Sequence, residues 1–116
     1  MMTPGVYNFS LYRGATLRQP FYRKTARGGP AFDLTGYGAL ATIRTTKIAD
    51  ATPPIIELTA GNGGIVLDGP GGKVEMFMTH TQVISLLVAN KHFYDLFLLP
   101  PNGDRLPFVV GELTFL

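Results

Sequence analysis

The chain has 116 residues, which is the size of one domain, and 46% of them are hydrophobic while 16% are charged. This balance excludes a disordered segment, and the absence of cysteine excludes a disulfide framework and a thiolate metal site. The formal net charge is only +2, but seven of the ten basic side chains lie in residues 1–47 beside a single acid. We therefore predict one domain over residues 1–116, with either a charge dipole or, if the fold mixes the two halves, an evenly solvated surface.

Short apolar runs separated by glycine and proline are typical of a β protein. Residues 6–12 alternate as a strand, and residues 15–24 are strand-like but contain Pro20, which favours an edge strand or a bulge. Residues 26–38 are predicted to be a long turn region. Residues 39–46 alternate well between apolar and polar side chains, which predicts another strand.

The second half of the chain begins in the same way. Residues 47–54 are predicted to be a loop, followed by short strands over residues 55–58, 65–67 and 73–78. Glycine-rich turns separate these strands. The spacing is that of a β-sandwich or a barrel.

Residues 79–90 break this pattern and predict one short helix. Thr79 precedes Gln82 by three residues, which is the signature of a capping box. The apolar residues Val83, Leu86 and Leu87 then repeat at helical spacing. We expect this helix to cross between two sheets and to cover one end of the core.

The run Asp33-Leu34-Thr35-Gly36-Tyr37 is predicted to form a fixed corner. Asp33 or Thr35 would bond the local backbone, and Gly36 would relieve strain. The ring of Tyr37 would pack onto the sandwich.

The last strands, joined by a turn at Asn102-Gly103, form a hairpin in which both faces look apolar. The side chains predicted to face the core are Tyr94, Leu96, Leu98, Val109, Leu113 and Phe115. The pleat then directs a second set outward, namely Phe93, Phe97, Leu99, Phe108 and Val110.

A soluble monomer rarely leaves a large apolar patch bare. We therefore predict that a partner subunit covers the five outward side chains of the hairpin. The alternative is that the N-terminal segment from Pro4 to Leu11 folds over them within the same chain.

Motifs that carry chemistry are weak in this sequence. The run from Asp68 to Lys73 resembles a phosphate loop only superficially, because a strand follows it. His80 and His92 have no nearby set of further metal ligands, and neither serine sits in a nucleophile elbow. A net charge of +2 is weak for nucleic-acid binding, and no apolar run reaches membrane length. We expect no catalytic residues, metal or cofactor, and no nucleic-acid, membrane or small-molecule partner.

Short motifs distributed along the chain follow the order found in a known family. They are Tyr12-Arg13-Gly14, Asp33-Leu34-Thr35-Gly36-Tyr37, Asn62-Gly63-Gly64-Ile65, Asp68-Gly69, Tyr94-Asp95-Leu96 and Gly111. In this order and spacing most of the chain resembles small phage virion proteins and the N-terminal domain of phage baseplate upper proteins. The chain departs from the family at Ala15, where an acid is common, and at Phe97 and Leu99, where polar residues are usual.

The resemblance implies an all-β, immunoglobulin-like sandwich with a structural role in a phage tail. We expect a non-enzymatic virion subunit of the tail, baseplate or neck, assembled in the host cytoplasm and repeated by symmetry as a homo-oligomeric ring among other virion proteins. The basic side chains Arg18, Arg23 and Lys24 would meet the acidic half of a neighbour, so salt should weaken assembly. The alternatives are a capsid decoration protein and a host-surface or carbohydrate-binding module.

Overall fold

The computed structural model describes residues 5–25, 29–45 and 54–116 of the chain. Its strands are β1 (Gly5–Val6), β2 (Phe9–Leu11), β3 (Leu17–Tyr22), β4 (Gly38–Arg44), β5 (Ile56–Thr59), β6 (Ile65–Asp68), β7 (Lys73–Met78), β8 (Lys91–Leu99) and β9 (Leu106–Phe115). Between β7 and β8 lie the helix α1 (His80–Ser85) and a 3-10 turn (Leu86–Val88). Part of the predicted turn region 26–38 and nearly all of the predicted loop 47–54 fall outside the described residues.

The strands form two sheets. The large sheet has the order β1-β9-β8-β4-β5, with β2 pairing β9 beyond β1, and the small sheet has the order β3-β7-β6. Strands β1 and β2 run parallel to β9, whereas the other ladders are antiparallel. The predicted mostly β architecture with two sheets and one short helix is confirmed, and Pro20 lies on an edge strand as expected.

One core fills the space between the two sheets. Buried and half-buried residues alternate strictly along β7 and along most of β8, because successive side chains of a strand point to opposite faces. Ala41, Ile43 and Leu96 come from the large sheet, and Val74 and Met76 from the small one, all fully buried. Each large aliphatic side chain buried in this way contributes about 1.5–3 kcal/mol.

The capping box that the sequence predicts is present at the start of α1. The hydroxyl of Thr79 accepts from the backbone N–H of Gln82 (3.2 Å), and the Gln82 side-chain oxygen accepts from the backbone N–H of Thr79 (2.9 Å). Val83 and Leu86 are fully buried and close one end of the core.

Leu87 does not face the core as predicted, since it is 38% exposed. The α-helix ends at Ser85 and tightens into the 3-10 turn, in which each residue rotates further around the axis than in an α-helix. Leu87 is thereby carried off the buried side.

The predicted corner at residues 33–37 is also present. The backbone N–H and the hydroxyl of Thr35 both donate to Asp33 Oδ1, at 2.9 and 2.5 Å, and these bonds hold the pKa of Asp33 below its ordinary value. Gly36 has a φ of 84°, a conformation that favours glycine. Tyr37 packs edge-on against Phe32, with the ring centroids 6.2 Å apart.

Candidate interaction surface

The outer face of the large sheet is the side turned away from the core. We define it by the outward positions of β4, β5, β8 and β9, which are Leu40, Thr42, Arg44, Glu57, Thr59, Phe93, Asp95, Phe97, Leu99, Pro107, Val110 and Glu112. Its apolar members, Leu40, Phe93, Phe97, Leu99, Pro107 and Val110, are half-buried. Four of the five outward side chains predicted from the hairpin, Phe93, Phe97, Leu99 and Val110, therefore lie on one surface, and their role as an interface stays a prediction.

Phe97 lies at the centre of an apolar row that crosses three strands. Its cross-strand neighbours are Leu40 on β4 and Pro107 on β9. The guanidinium carbon of Arg105 lies 4.3 Å from the centroid of the Phe97 ring, a cation–π contact that partly covers it. The row is therefore apolar along its length and charged at one end.

A shallow groove of about 430 Å3 opens beside this row, lined in part by Val6, Phe93, Asp95, Val110 and Glu112. Register places Phe93 opposite Glu112, and Asp95 opposite Val110, so apolar and acidic side chains alternate across β8 and β9. A partner that fills this groove would meet apolar walls and two carboxylates.

Each carboxylate of the groove has a basic neighbour in the same chain. The Arg44 guanidinium lies 3.6 Å from Asp95, and the Lys91 ammonium lies 3.3 Å from Glu112. Burial raises the pKa of the Asp95 carboxyl, and the charges of Arg44 and Arg105 oppose that rise. Asp95 is thus a partly desolvated carboxylate whose ionised form is favoured by the charges of Arg44 and Arg105.

Phe108 does not belong to the outer face, contrary to the prediction. On β8, Leu96 pairs with Val109 and the next residue, Phe97, pairs with Pro107. Phe108 is therefore left without a partner on β8 and is the extra residue of a bulge. Phe108 packs against the core cluster and, with Phe21 of β3, borders a groove between the two sheets. Pro107, which has no N–H to donate to the ladder, lies next to this bulge.

The N-terminal segment does not fold over the outer face either. Its described part extends the edge of the sheet, with Gly5 paired to Val109 and Phe9 paired to Leu113. Between the two strands the ladder is interrupted, and Asn8 Oδ1 accepts from the backbone N–H of Glu112 (2.9 Å) in place of a main-chain partner. The alternative in which Pro4 to Leu11 covers the hairpin is therefore wrong for the described residues.

The buried side chain of Tyr94 holds the N-terminal segment at the edge of the large sheet through a hydrogen bond. Its hydroxyl donates to the carbonyl oxygen of Tyr7 (2.5 Å), and burial raises the pKa of that hydroxyl above its ordinary value. The Tyr7 carbonyl passes so close to Gly111 that a Cβ there would overlap it. The glycine of the final strand is thus required by a close approach of two backbones.

The three basic residues predicted to contact a neighbour do not form one patch. Arg18 is exposed, stacks 4.6 Å from the Phe77 ring centroid and lies 3.9 Å from Glu75. Arg23 is half-buried and stacks 3.8 Å from the centroid of the chain's own Phe32. Lys24 is exposed two residues beyond the end of β3, about 20 Å from Arg18 along an extended chain. Arg23 therefore has an internal role, and only the other two point to solvent.

Side-chain hydrogen bonds occupy backbone groups on two of the sheet edges, β5 and β3. On β5 the side chain of Asn62 donates to Glu57 O (2.9 Å) and accepts from Thr59 N (2.9 Å), so two edge groups of the backbone are already bonded. On β3 Pro20 has no N–H, and its carbonyl oxygen accepts from the Gln19 side chain (3.1 Å). Edges protected in this way resist pairing with another chain.

Sequence reasoning missed three contributors to the outer face. Local alternation does not join Leu40 to the hairpin, because strand order cannot be read from it. Pro107 and Arg105 became visible only through the bulge and the stack on Phe97. The signal for Pro107 was available in the sequence, since a proline inside a strand marks an edge or a bulge.

Within residues 5–25, 29–45 and 54–116, no three His, Asp or Glu side chains come together as metal ligands would. No helix in the same part of the chain is both long and apolar enough to cross a membrane. The sequence matches no family model, and no curated protein matches it as a relative.

Proposed function

We propose that the chain is a non-enzymatic structural subunit of a phage virion, placed in the tail, baseplate or neck, and that it joins its neighbours through the outer face. The virion assignment rests on the series of motifs that resembles baseplate upper proteins. The same resemblance supports an immunoglobulin-like arrangement of the two sheets. The assembly would form in the host cytoplasm as a ring of identical copies among other virion proteins.

The proposed interface rests on a difference between the outer face of the large sheet and the edge strands of the two sheets. The edge strands β3 and β5 have backbone groups that are occupied or missing at Pro20 and Glu57, so another strand gains little by pairing there. The outer face instead presents six apolar side chains over the three adjacent strands β4, β8 and β9. Burying apolar area returns about 25 cal/mol per Å2 before association costs, so contact through the face is the favourable route.

The test is incorporation into particles of a phage that encodes the chain. The double variant Phe93→Ser with Phe97→Ser should fold and yet be lost from purified particles at least tenfold, as measured by quantitative mass spectrometry. Tyr22→Ser is the matched control, because Tyr22 is 59% exposed on the small sheet and points away from the outer face. It should be incorporated like the natural chain.

Three results would overturn parts of this proposal. Absence of the natural chain from particles removes the virion role. Equal incorporation of the double variant removes the outer face as the interface. Recovery from the separated capsid fraction instead of the tail fraction favours the capsid decoration protein, and binding of the free chain to host cells or glycans favours the adhesin alternative.

A further inference from the structure

A groove separates the two sheets along one side of the molecule, between the N-terminal strands and the edge strand β3. Its wider part has a volume of about 630 Å3 and is lined in part by Val6, Tyr7, Phe21 and Tyr22. A second part of about 500 Å3 continues it past Phe108. We call the two parts together the side groove. Clefts of this size with apolar and aromatic walls are typical binding sites of proteins.

The strand edge beside the side groove has free backbone groups. Tyr7 N donates to a carbonyl oxygen of β9 (2.9 Å), and Leu11 O accepts from the C-terminal residue (3.0 Å), so both residues direct these groups toward β9. Since the backbone groups of alternate residues in a strand point to opposite sides, Val6 and Ser10 direct theirs away from the sheet. Strands β1 and β2 lie at the end of the strand order, and within the described residues no further strand pairs with them.

This edge is better suited to pairing than the edge of β3 on the other side of the groove. On β3, Pro20 has no N–H and its carbonyl oxygen accepts from the Gln19 side chain. Val6 and Ser10 have both an N–H and a carbonyl oxygen, and no hydrogen bond joins their outward groups to the described part of the chain. A strand added to such an edge gains affinity from main-chain hydrogen bonds and specificity from pockets for its alternate side chains.

The side groove also carries positive charge that no carboxylate of its lining neutralises. Its lining residues include Arg23 and Lys24, and neither Asp nor Glu is among them. Lys24 is exposed and forms no ion pair with the described residues. Arg23 stacks on Phe32, and one of its guanidinium nitrogens is buried without a hydrogen-bond partner. A partner therefore gains most by placing a carboxylate beside Lys24, which lines both parts of the groove together with Gly5 of β1.

We propose that the side groove binds an extended acidic segment of a partner protein, which pairs with the edge of β1 and β2 and places a carboxylate beside Lys24. The free backbone groups select a strand, and the aromatic walls select apolar side chains at alternate positions of that strand. The side groove shares Val6 and no other lining residue with the groove of the outer face. The site therefore goes beyond the proposed function and does not depend on it.

The probe for this site is a display library of random dodecapeptides, selected on the purified full chain. The selected peptides should carry Asp or Glu among apolar residues, and a synthetic copy of one should bind at least tenfold more weakly to the Lys24→Glu variant. Exchanging the acidic residue of that peptide for lysine should restore binding to the variant. Lys91→Glu is the matched control, because it changes the net charge equally at an exposed residue that lines neither part of the groove. It should bind the peptide like the natural chain.

Pairing with the edge is tested separately. Val6→Pro removes an outward N–H at a residue that is 73% exposed on an edge strand, where proline is tolerated, so the variant should fold and bind the peptide at least tenfold more weakly. Val6→Thr keeps the N–H and should bind like the natural chain. Methylating the peptide amides one at a time should weaken binding at alternate positions, because only those amides face β1.

Three results would each overturn the proposal: no peptide selected, equal binding to the natural chain and to Lys24→Glu, or methylation effects that do not alternate. If Val6→Pro unfolds, the methylation series still decides the pairing. The particle experiment on Phe93 and Phe97 decides the proposed function whatever the peptides show.

Discussion

Replacing Gly111 with alanine should detach the N-terminal strands from the edge of the large sheet. A Cβ at this position would overlap the Tyr7 carbonyl oxygen and lie 3.0 Å from Cε1 of Tyr94. The same carbonyl oxygen accepts the hydrogen bond from the Tyr94 hydroxyl. Since the obstacle is backbone and a buried ring, neither neighbour can move without losing this bond.

The expected loss follows from two effects. Forcing one extra methyl group into a packed site costs about 1–3 kcal/mol, and leaving a buried hydroxyl without its partner costs about 1–3 kcal/mol. The alanine also restricts the unfolded chain, which returns about 0.4–1 kcal/mol. We therefore expect Gly111→Ala to lower the free energy of unfolding by about 2–4 kcal/mol.

Urea unfolding of the purified chain measures this loss. Gly38→Ala is the matched control, because a Cβ there would meet Leu99 at an ordinary 3.6 Å and should change stability by less than about 1 kcal/mol. Hydrogen exchange should also speed up at Tyr7 N, which donates to Val110 O (2.9 Å), and at Glu112 N. Equal effects of the two alanine variants would show that the close approach at Gly111 carries no strain.

The remaining predictions concern pH, the corner and salt. His92 is fully buried with no hydrogen-bond partner on either ring nitrogen, and burial lowers its pKa in the folded chain. Its contribution to stability is therefore full above about pH 6.5 and is lost as the pH falls toward the pKa of His92 in the folded chain. Lowering the pH from about 7.5 to about 5.5 should reduce the free energy of unfolding, measured in urea, by up to about 1.4 kcal/mol. The His92→Leu variant should not show this reduction, whereas the variant His80→Leu, at an exposed site, should show it. Equal pH dependence in all three chains would contradict this prediction. Tyr37→Ala should cost about 2–3 kcal/mol, since the ring is half-buried against Phe32, and a loss below about 1 kcal/mol would mean that the corner is loose. Raising salt from about 0.05 to 0.5 M should weaken self-association, because the Debye length falls below about 10 Å, and salt-independent sedimentation would remove charge from the contact.

The hairpin shows how far local alternation predicts this fold. Tyr94, Leu96 and Leu98 are buried as expected, because the pleat alternates without exception along β8. The same rule fails on β9 at Phe108, since the extra residue of the bulge shifts the alternation of Leu106 and Pro107 relative to that of Val109 and the residues after it. Strict alternation predicts the face of a side chain only where no bulge interrupts the strand pairing.

Non-local pairing accounts for what the sequence did not predict. The N-terminal segment was expected to be a strand, yet its partner β9 lies 104 residues away, and nothing local in residues 5–11 encodes a parallel pairing with it. The interruption at Tyr7 and Asn8 depends on a glycine and a tyrosine far along the chain. Local alternation therefore placed four side chains of one strand pair on a common surface, but it could not predict the surface that several strands build together.

Partly occupied edges at β5 and β3 and an apolar outer face together restrict how this chain can associate. A free strand edge pairs with almost any extended chain, because backbone hydrogen bonds are the same for every residue. Asn62 and Pro20 remove that possibility at β5 and β3. Contact through a face depends instead on particular side chains, so a face can discriminate between partners as an edge cannot. If the proposed function holds, substitutions on the outer face should therefore change which partner is chosen before they change the fold.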